Sequence, residues 1–307
     1  MSQIHQIDRT SITTYFQSLQ DQICASLEAL DGKGRFQQDN WERPGGGGGR
    51  SRVIQGELIE KGGVNFSAVH GELSDTIAKG LQMKGGKFYA TGVSIVLHPR
   101  SPMMPIIHMN VRYFEAEQGR WWFGGGIDLT PHYVVPGDAT TFHQHLKSVC
   151  DVHHSDYYDR YKQQADNYFY LPHRKETRGV GGIFFDRLGD RENHTKDQHF
   201  AFVRDVGEAF IPIYTELTHR NRALPFTQQH SDWQRVRRGR YVEFNLVWDR
   251  GTKFGLMTDG RTESILMSMP PQANWMYSHV PEADSAEAKT LSLLKKDIDW
   301  VNIPTQE

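Results

Sequence analysis

Between residues 11 and 30, Ile12, Tyr15, Phe16, Leu19, Ile23, Leu27 and Leu30 recur at three- and four-residue steps, and Asp31-Gly32 follows. That period predicts an amphipathic helix stopped at the glycine. The period then changes. After a glycine run at 44–52, apolar and alternating segments continue through 64–71 and predict strands joined by glycine-rich turns. Further strands are predicted at 89–98 and 106–114, with a connecting loop whose three prolines exclude a ladder, and another around 121–133. Residues 138–170 and 197–220 read as helices, the second with Phe200, Val203, Val206, Phe210, Ile213, Tyr214 and Leu217 on one face. Strand patterns return at 241–249, 253–258 and 263–269, with a hairpin at 249–252, and a last helix is predicted over 285–296. No repeat or composition break divides residues 1–307. Strands on both sides of a helical block, without βα alternation, predict one α+β domain with a large, mainly antiparallel sheet.

The alternation sorts side chains by face. On the strand 106–114, His108, Asn110, Arg112 and Phe114 share one face and Met109, Val111 and Tyr113 the other. Ser94 and His98 share a face of the preceding strand. Such a polar row is either the wet side of an antiparallel sheet or an anion-binding floor, on which Arg112 grips a carboxylate and Asn110 and Ser94 add hydrogen bonds. Read as a strand, 241–249 puts Glu243, Asn245 and Asp249 on one face, with Asp249-Arg250 at the hairpin end. There an aspartate serves either a ligand or an ordinary turn. Asp259, Gly260 and Arg261 form a glycine-containing turn that suits a carboxylate, although most such turns bind nothing.

Composition narrows the partners. Lys+Arg 35 against Asp+Glu 37 gives a formal charge of −2. With no basic run, nucleic acid is set aside. Cys24 and Cys150 stand far apart and outside any CxxC, which disfavours a disulfide framework and fits a reducing compartment. No leader and no membrane span is expected, and the cytoplasm is the expected location. The glycine run at 44–51 fails the P-loop template at two places, Pro44 and Arg50, so a nucleotide site is not expected. Among 15 histidines, His98, His108, His143 and His173 lie in segments rich in aromatics and turns. They could move protons or hold a divalent metal, and their dispersal leaves both open.

Seven segments, GGGGGRSRV, GVNFSAVHGE, HMNVRYFE, WWFGGGIDLTPHY, YFYLPHRKETRGVGGIFFD, RRGRYVEFNLVWDRGTKFGL and GRTESILMSMPP, together resemble the oxygen-dependent coproporphyrinogen-III oxidase family over nearly the whole chain. The resemblance implies a flat antiparallel sheet flanked by helices on both faces. It implies oxidative decarboxylation of two propionates of coproporphyrinogen III to vinyls, giving protoporphyrinogen IX, with molecular oxygen as oxidant and carbon dioxide and hydrogen peroxide released. Flavin, haem and NAD are not implied; a cofactor-free reaction and one that uses a divalent metal, manganese being the candidate, stay open. A homodimer is implied, with its interface between Tyr241 and Met276. Ser94, Asn110, Val111, Arg112, Asp259, Gly260 and Arg261 fall at substrate positions, Asp259 standing where the family carries a small residue. His98, His108, His143 and His173 fall at metal-ligand positions, and His108 also at the proton donor. A tetrapyrrole with four carboxylates would meet Arg112, Arg250, Arg261 and the arginines at 50 and 52. Its four pyrrole N–H groups want a central carboxylate, and Asp249 and Asp128 are the candidates.

Overall fold

The computed structural model describes residues 6–73, 78, 83, 85–189, 194–257 and 260–303. The first helix, α1 (Arg9–Asp31), begins where the Asp8 carboxylate accepts the Ser11 N–H and ends at Gly32, whose φ of 87° suits glycine. Its predicted stripe, Ile12, Phe16, Leu19, Ile23 and Leu27, is buried.

Seven antiparallel strands follow the order β1-β2-β3-β4-β5-β6-β9 among the described residues: β1 (Gln37–Glu42), β2 (Gly47–Ile54), β3 (Ile59–Glu72), β4 (Lys87–Pro99), β5 (Ile106–Ala116), β6 (Arg120–Thr130) and β9 (Gly181–Gly189). A two-stranded ladder, β7 (Tyr170–Leu171) and β8 (Glu176–Thr177), lies apart. The helices are α2 (Pro136–His153), α3 (Tyr157–Tyr168), α4 (Lys196–Asn221), α5 (Gln228–Glu243), α6 (Arg250–Met257), α7 (Thr262–Leu266) and α8 (Ala286–Leu293), with a π-turn (Phe244–Trp248) between α5 and α6.

Strand alternation builds two unlike faces. Val93, Ile95, Leu97, Met109, Val111, Ile127 and Leu129 point to one side and join α1, α2 and α4 in a single apolar core. The other side is covered at one end by the α5–α7 segment. There Tyr241 packs on Val96 and Ile106, and Arg238 donates to Glu60 and to the Pro99 carbonyl. The architecture is the expected α+β one, with helices on both faces.

Asp31 locks α1 to the sheet. Its carboxylate accepts backbone N–H groups from Gly34, Glu57, Leu58 and Ile59 at 2.7–3.1 Å. Burial pushes this carboxyl up, but the four donors outweigh it and hold it below the usual value. The stabilisation is therefore complete above the unfolded-state pKa and is lost as pH falls through the lower folded value. Asp31→Ala should lower the urea-unfolding free energy by about 3 kcal/mol at neutral pH; an unchanged midpoint would refute the anchoring role.

Several elements differ from expectation. Residues 241–248, 253–257 and 263–266 are helical and 267–269 form a turn, so neither these strands nor the hairpin at 249–252 forms; Thr258 lies outside the described residues. The β-prone run of Val, Phe, Leu and Trp misleads here, because Tyr241 and Phe244 are buried one turn apart while Leu246, Val247 and Trp248 face outward. The helix predicted over 138–170 breaks between α2 and α3. Strand β9 and most of α5 escaped notice, since glycines and charges hide their patterns.

Candidate active site

Cross-strand register assembles the site. One row reads Ser51, Asn65, Ser94, Asn110 and Gly126 across β2 to β6. Two residues along, a second reads Gly63, Val96, His108 and Asp128, and on the other side a third reads Ser67, Gly92, Arg112 and Gly124. Ser94, His108, Asn110 and Arg112 thus share one face, with glycine on both sides of Arg112 (Gly92 and Gly124) and on one side of Asn110 (Gly126). A Cβ at Gly124 would meet the Arg112 guanidinium at 2.7–2.8 Å, so any side chain there would displace it.

Arg112 donates from Nη1 to Asn110 Oδ1 (2.7 Å) and from Nη2 to Asp186 Oδ1 (2.8 Å). The guanidinium is thus already holding a carboxylate, in a pair exposed enough for an incoming anion to exchange. Asp186→Asn should lower KM for a carboxylate substrate about threefold, the size of a solvent-screened pair; steady-state kinetics showing a raised KM would mean that Asp186 orients Arg112 instead of competing for it.

His108 sits beside Asn110 on the floor, and among the described residues its ring bonds only through Nδ1, to Asp128 Oδ1 at 2.7 Å. Asp128 is 2% exposed, whereas the His108 side chain is 24% exposed, so Nε2 is the nitrogen available to a ligand. Asp128 Oδ2 accepts from Arg178 Nη2 at 2.6 Å. Burial alone would raise the Asp128 carboxyl; the cation of Arg178 and the His108 bond reverse this and keep it below the usual range. An ionised Asp128 draws the His108 proton to Nδ1 and leaves a lone pair on Nε2, a geometry suited to proton transfer.

Asp249 occupies a different setting at the rim. It accepts from Tyr168 Oη (2.7 Å) and, as a helix cap, from the Thr252 N–H (2.6 Å). Burial and the neighbouring Asp249 push the Tyr168 phenol up to about 12. Tyr168 stacks on Phe184 with centroids 4.2 Å apart, and Phe184 pairs with Gly126 of the floor. Arg250 lies over the Tyr168 ring at 4.9 Å. Arg261 pairs with Asp39 and lies over Trp41, at the β1 edge of the same face. Gly260 donates its N–H to Gly255 O at 2.8 Å, and Asp259 lies outside the described residues.

Several predicted site residues stand elsewhere. The Val111 side chain is fully buried in the core on the opposite face, so only its backbone could reach a ligand. Arg50 and Arg52 reach Asp21 of α1 and do not line the floor. The four histidines do not converge. His98 is buried beneath the Ser268 carbonyl and the Tyr241 ring, its pKa pushed down to about 3 by burial. His143 lies among helices on the core side, bonded to Tyr158 Oη and the Val180 carbonyl, and burial likewise takes it to about 3. His173 bonds Glu243 and Trp248 near the surface. Within this chain they offer no common coordination sphere, and among the described residues no group of three or more metal-type side chains clusters. The sequence reading missed Arg178, Asp186, Tyr168 and Phe184, whose respective partners Asp128, Arg112, Asp249 and Gly126 lie 50 or more residues away in the chain.

The architecture and site together define a class. A family model described as coproporphyrinogen III oxidase matches residues 11–300, and the chain belongs to that family. The curated oxygen-dependent coproporphyrinogen-III oxidase of Synechococcus sp. (strain CC9902) is 48% identical over 314 residues, covering 94% of this chain and 86% of that protein. The chain is accordingly an oxygen-dependent oxidoreductase of porphyrin biosynthesis. Among the described residues, no helix is long and apolar enough to cross a membrane.

Proposed function

We propose that the open sheet face binds coproporphyrinogen III and that the chain converts two of its propionates to vinyls, with dioxygen as oxidant. The observation that carries the site assignment is the His108–Asp128 pair, one floor position from the Asn110–Arg112 carboxylate grip. Arg112 takes the reacting propionate or its neighbour in exchange for Asp186. Arg261 waits four strand spacings away, roughly 19 Å, a span suited to a macrocycle with acid arms at its periphery. The glycines of the floor let a flat ring lie close to the backbone.

Each decarboxylation removes one hydrogen from the propionate carbon next to the ring and breaks the bond to the carboxylate, releasing carbon dioxide. The two electrons freed go to dioxygen, which with two protons leaves as hydrogen peroxide. One proton comes from the propionate and one from solvent. His108 Nε2 handles the proton. Both oxygens of Asp128 are already bonded and buried, so Asp128 acts through His108 and not as the direct pyrrole acceptor. Asp249, partly exposed and sharing its carboxylate with Tyr168, is the acceptor for pyrrole N–H groups. No step passes through His98, His143 or His173.

Exposed Leu246, Val247, Trp248, Met257, Trp275 and Met276, all between Tyr241 and Met276, support a homodimer through that segment. The free, buried Cys24 and Cys150 support a reducing, cytoplasmic setting.

Anaerobic protein should bind coproporphyrinogen without change, and admitting oxygen should then release two equivalents of carbon dioxide with vinyl formation. Binding without carbon dioxide release would leave a carrier and overturn the enzymatic reading. Full activity of folded His108→Ala would remove His108 from the proton path.

A further inference from the structure

At one end of the floor, on the same face as His108, Arg178 is enclosed almost as completely as Asp128. Its side chain is 3% exposed, and its guanidinium lies over three rings, Phe169 at 4.4 Å and Tyr241 and Phe244 at 4.7 Å each. Nη2 donates to Asp128 Oδ2 at 2.6 Å and Nη1 to Asn245 Oδ1 at 2.8 Å, while Nε has no partner among the described residues. A cation taken this far from water is costly unless a counter-ion and aromatic faces replace its hydration. Here the counter-ion is the residue that orients His108.

The second bond is as informative as the first. Phe244 and Asn245 open the π-turn, a rare geometry concentrated at functional sites. The turn closes when the Asp249 N–H donates to Phe244 O at 2.8 Å, and Asp249 then caps α6 through Thr252. Arg178 therefore touches both carboxylate systems, Asp128 directly and Asp249 through the turn that presents it. Its own backbone is fixed, since its N–H donates to Phe169 O at 2.8 Å.

We propose that Arg178 is a positioning residue, which holds Asp128 in register with His108 and couples that pair to the π-turn carrying Asp249. This rests on the roles given above to His108 and Asp128. A planar fork serves both tasks at once: one nitrogen faces each partner, and the flat faces fill the aromatic box. Lysine offers a point charge with no such division, so it should keep the charge and lose the coupling.

The test compares Arg178→Met, Arg178→Lys and Asn245→Ala, each checked for folding by thermal melting and for anaerobic substrate binding. In Arg178→Met, Asp128 loses its cation and only the His108 bond still opposes burial, so its carboxyl rises. The acid limb of the kcat pH profile should move up by about one unit or more, with kcat down roughly a hundredfold and KM within about threefold. Arg178→Lys should restore the acid limb but recover only part of kcat. Asn245→Ala should leave the acid limb in place and lower kcat roughly tenfold, because only the link to the π-turn is cut. Should Arg178→Met fail to fold, Arg178→Lys and Asn245→Ala still decide: wild-type kcat in both overturns the proposal. An acid limb that does not move in folded Arg178→Met also overturns it. Asp128→Asn measured alongside separates the two levels: if it is fully active, the Asp128 role fails and takes this proposal with it. If it is inactive while folded Arg178→Met is normal, only the positioning role is lost.

Discussion

Asp128→Asn lowers kcat about a thousandfold at neutral pH while anaerobic substrate binding stays within about threefold. The expectation follows from which atoms remain. Arg178 keeps the amide oxygen, since it donates and the amide nitrogen cannot accept. The amide NH2 then faces His108 Nδ1 and donates to it, which drives the ring proton to Nε2. The nitrogen facing the cleft changes from acceptor to donor, and proton abstraction stops. The same substitution leaves the Arg178 cation buried without a counter-ion, which costs about 3–5 kcal/mol of stability. The wild-type carboxyl titrates below its usual value, so its stabilisation is complete above the unfolded-state pKa and disappears as pH falls through the lower folded value. The variant should therefore lack that part of the acid loss of stability. Denaturant titrations across pH measure it, and stopped-assay turnover measures the rate. Undiminished turnover in a folded variant would show that His108 does not need its partner.

Arg112→Gln raises KM roughly thirtyfold and leaves kcat within about threefold, the signature of a lost anion contact made equally in ground and transition states. A charged hydrogen-bonded contact contributes about 2–3 kcal/mol, and the lower figure applies because the guanidinium is partly exposed. Gly124→Val reaches the same phenotype without touching the charge, since its side chain enters the space where the guanidinium lies. Together with the opposite shift of Asp186→Asn, these three variants trace a single site from three strands, β5, β6 and β9. A fall in kcat at constant KM in Arg112→Gln would instead place Arg112 in the chemical step.

Much of this was legible along the chain. The three- and four-residue period of α1 and α4 survives because each buries one stripe against a sheet. The two-residue period of β4 and β5 survives because Val93 and Ile95, or Met109 and Val111, bury opposite a polar face. The placement of Ser94, His108, Asn110 and Arg112 on one surface follows from that alternation and from antiparallel pairing. The segment beyond Tyr241 failed the same reading, because its exposed apolar residues mimic strand alternation while its backbone continues a helix.

What the sequence by itself determined is therefore local: which residues repeat with a helix or strand period, which polar groups share a strand face, and which motifs mark the family. Only the tertiary structure decided which of them meet. It joined His108 to Asp128 and Asp128 to Arg178, turned Arg50, Arg52 and Val111 away from the floor, and kept His143 on the far side of the sheet. Register and the burial of charge are properties of the assembled molecule: a carboxylate finds its partner across strands and helices, and no period along the chain encodes that distance.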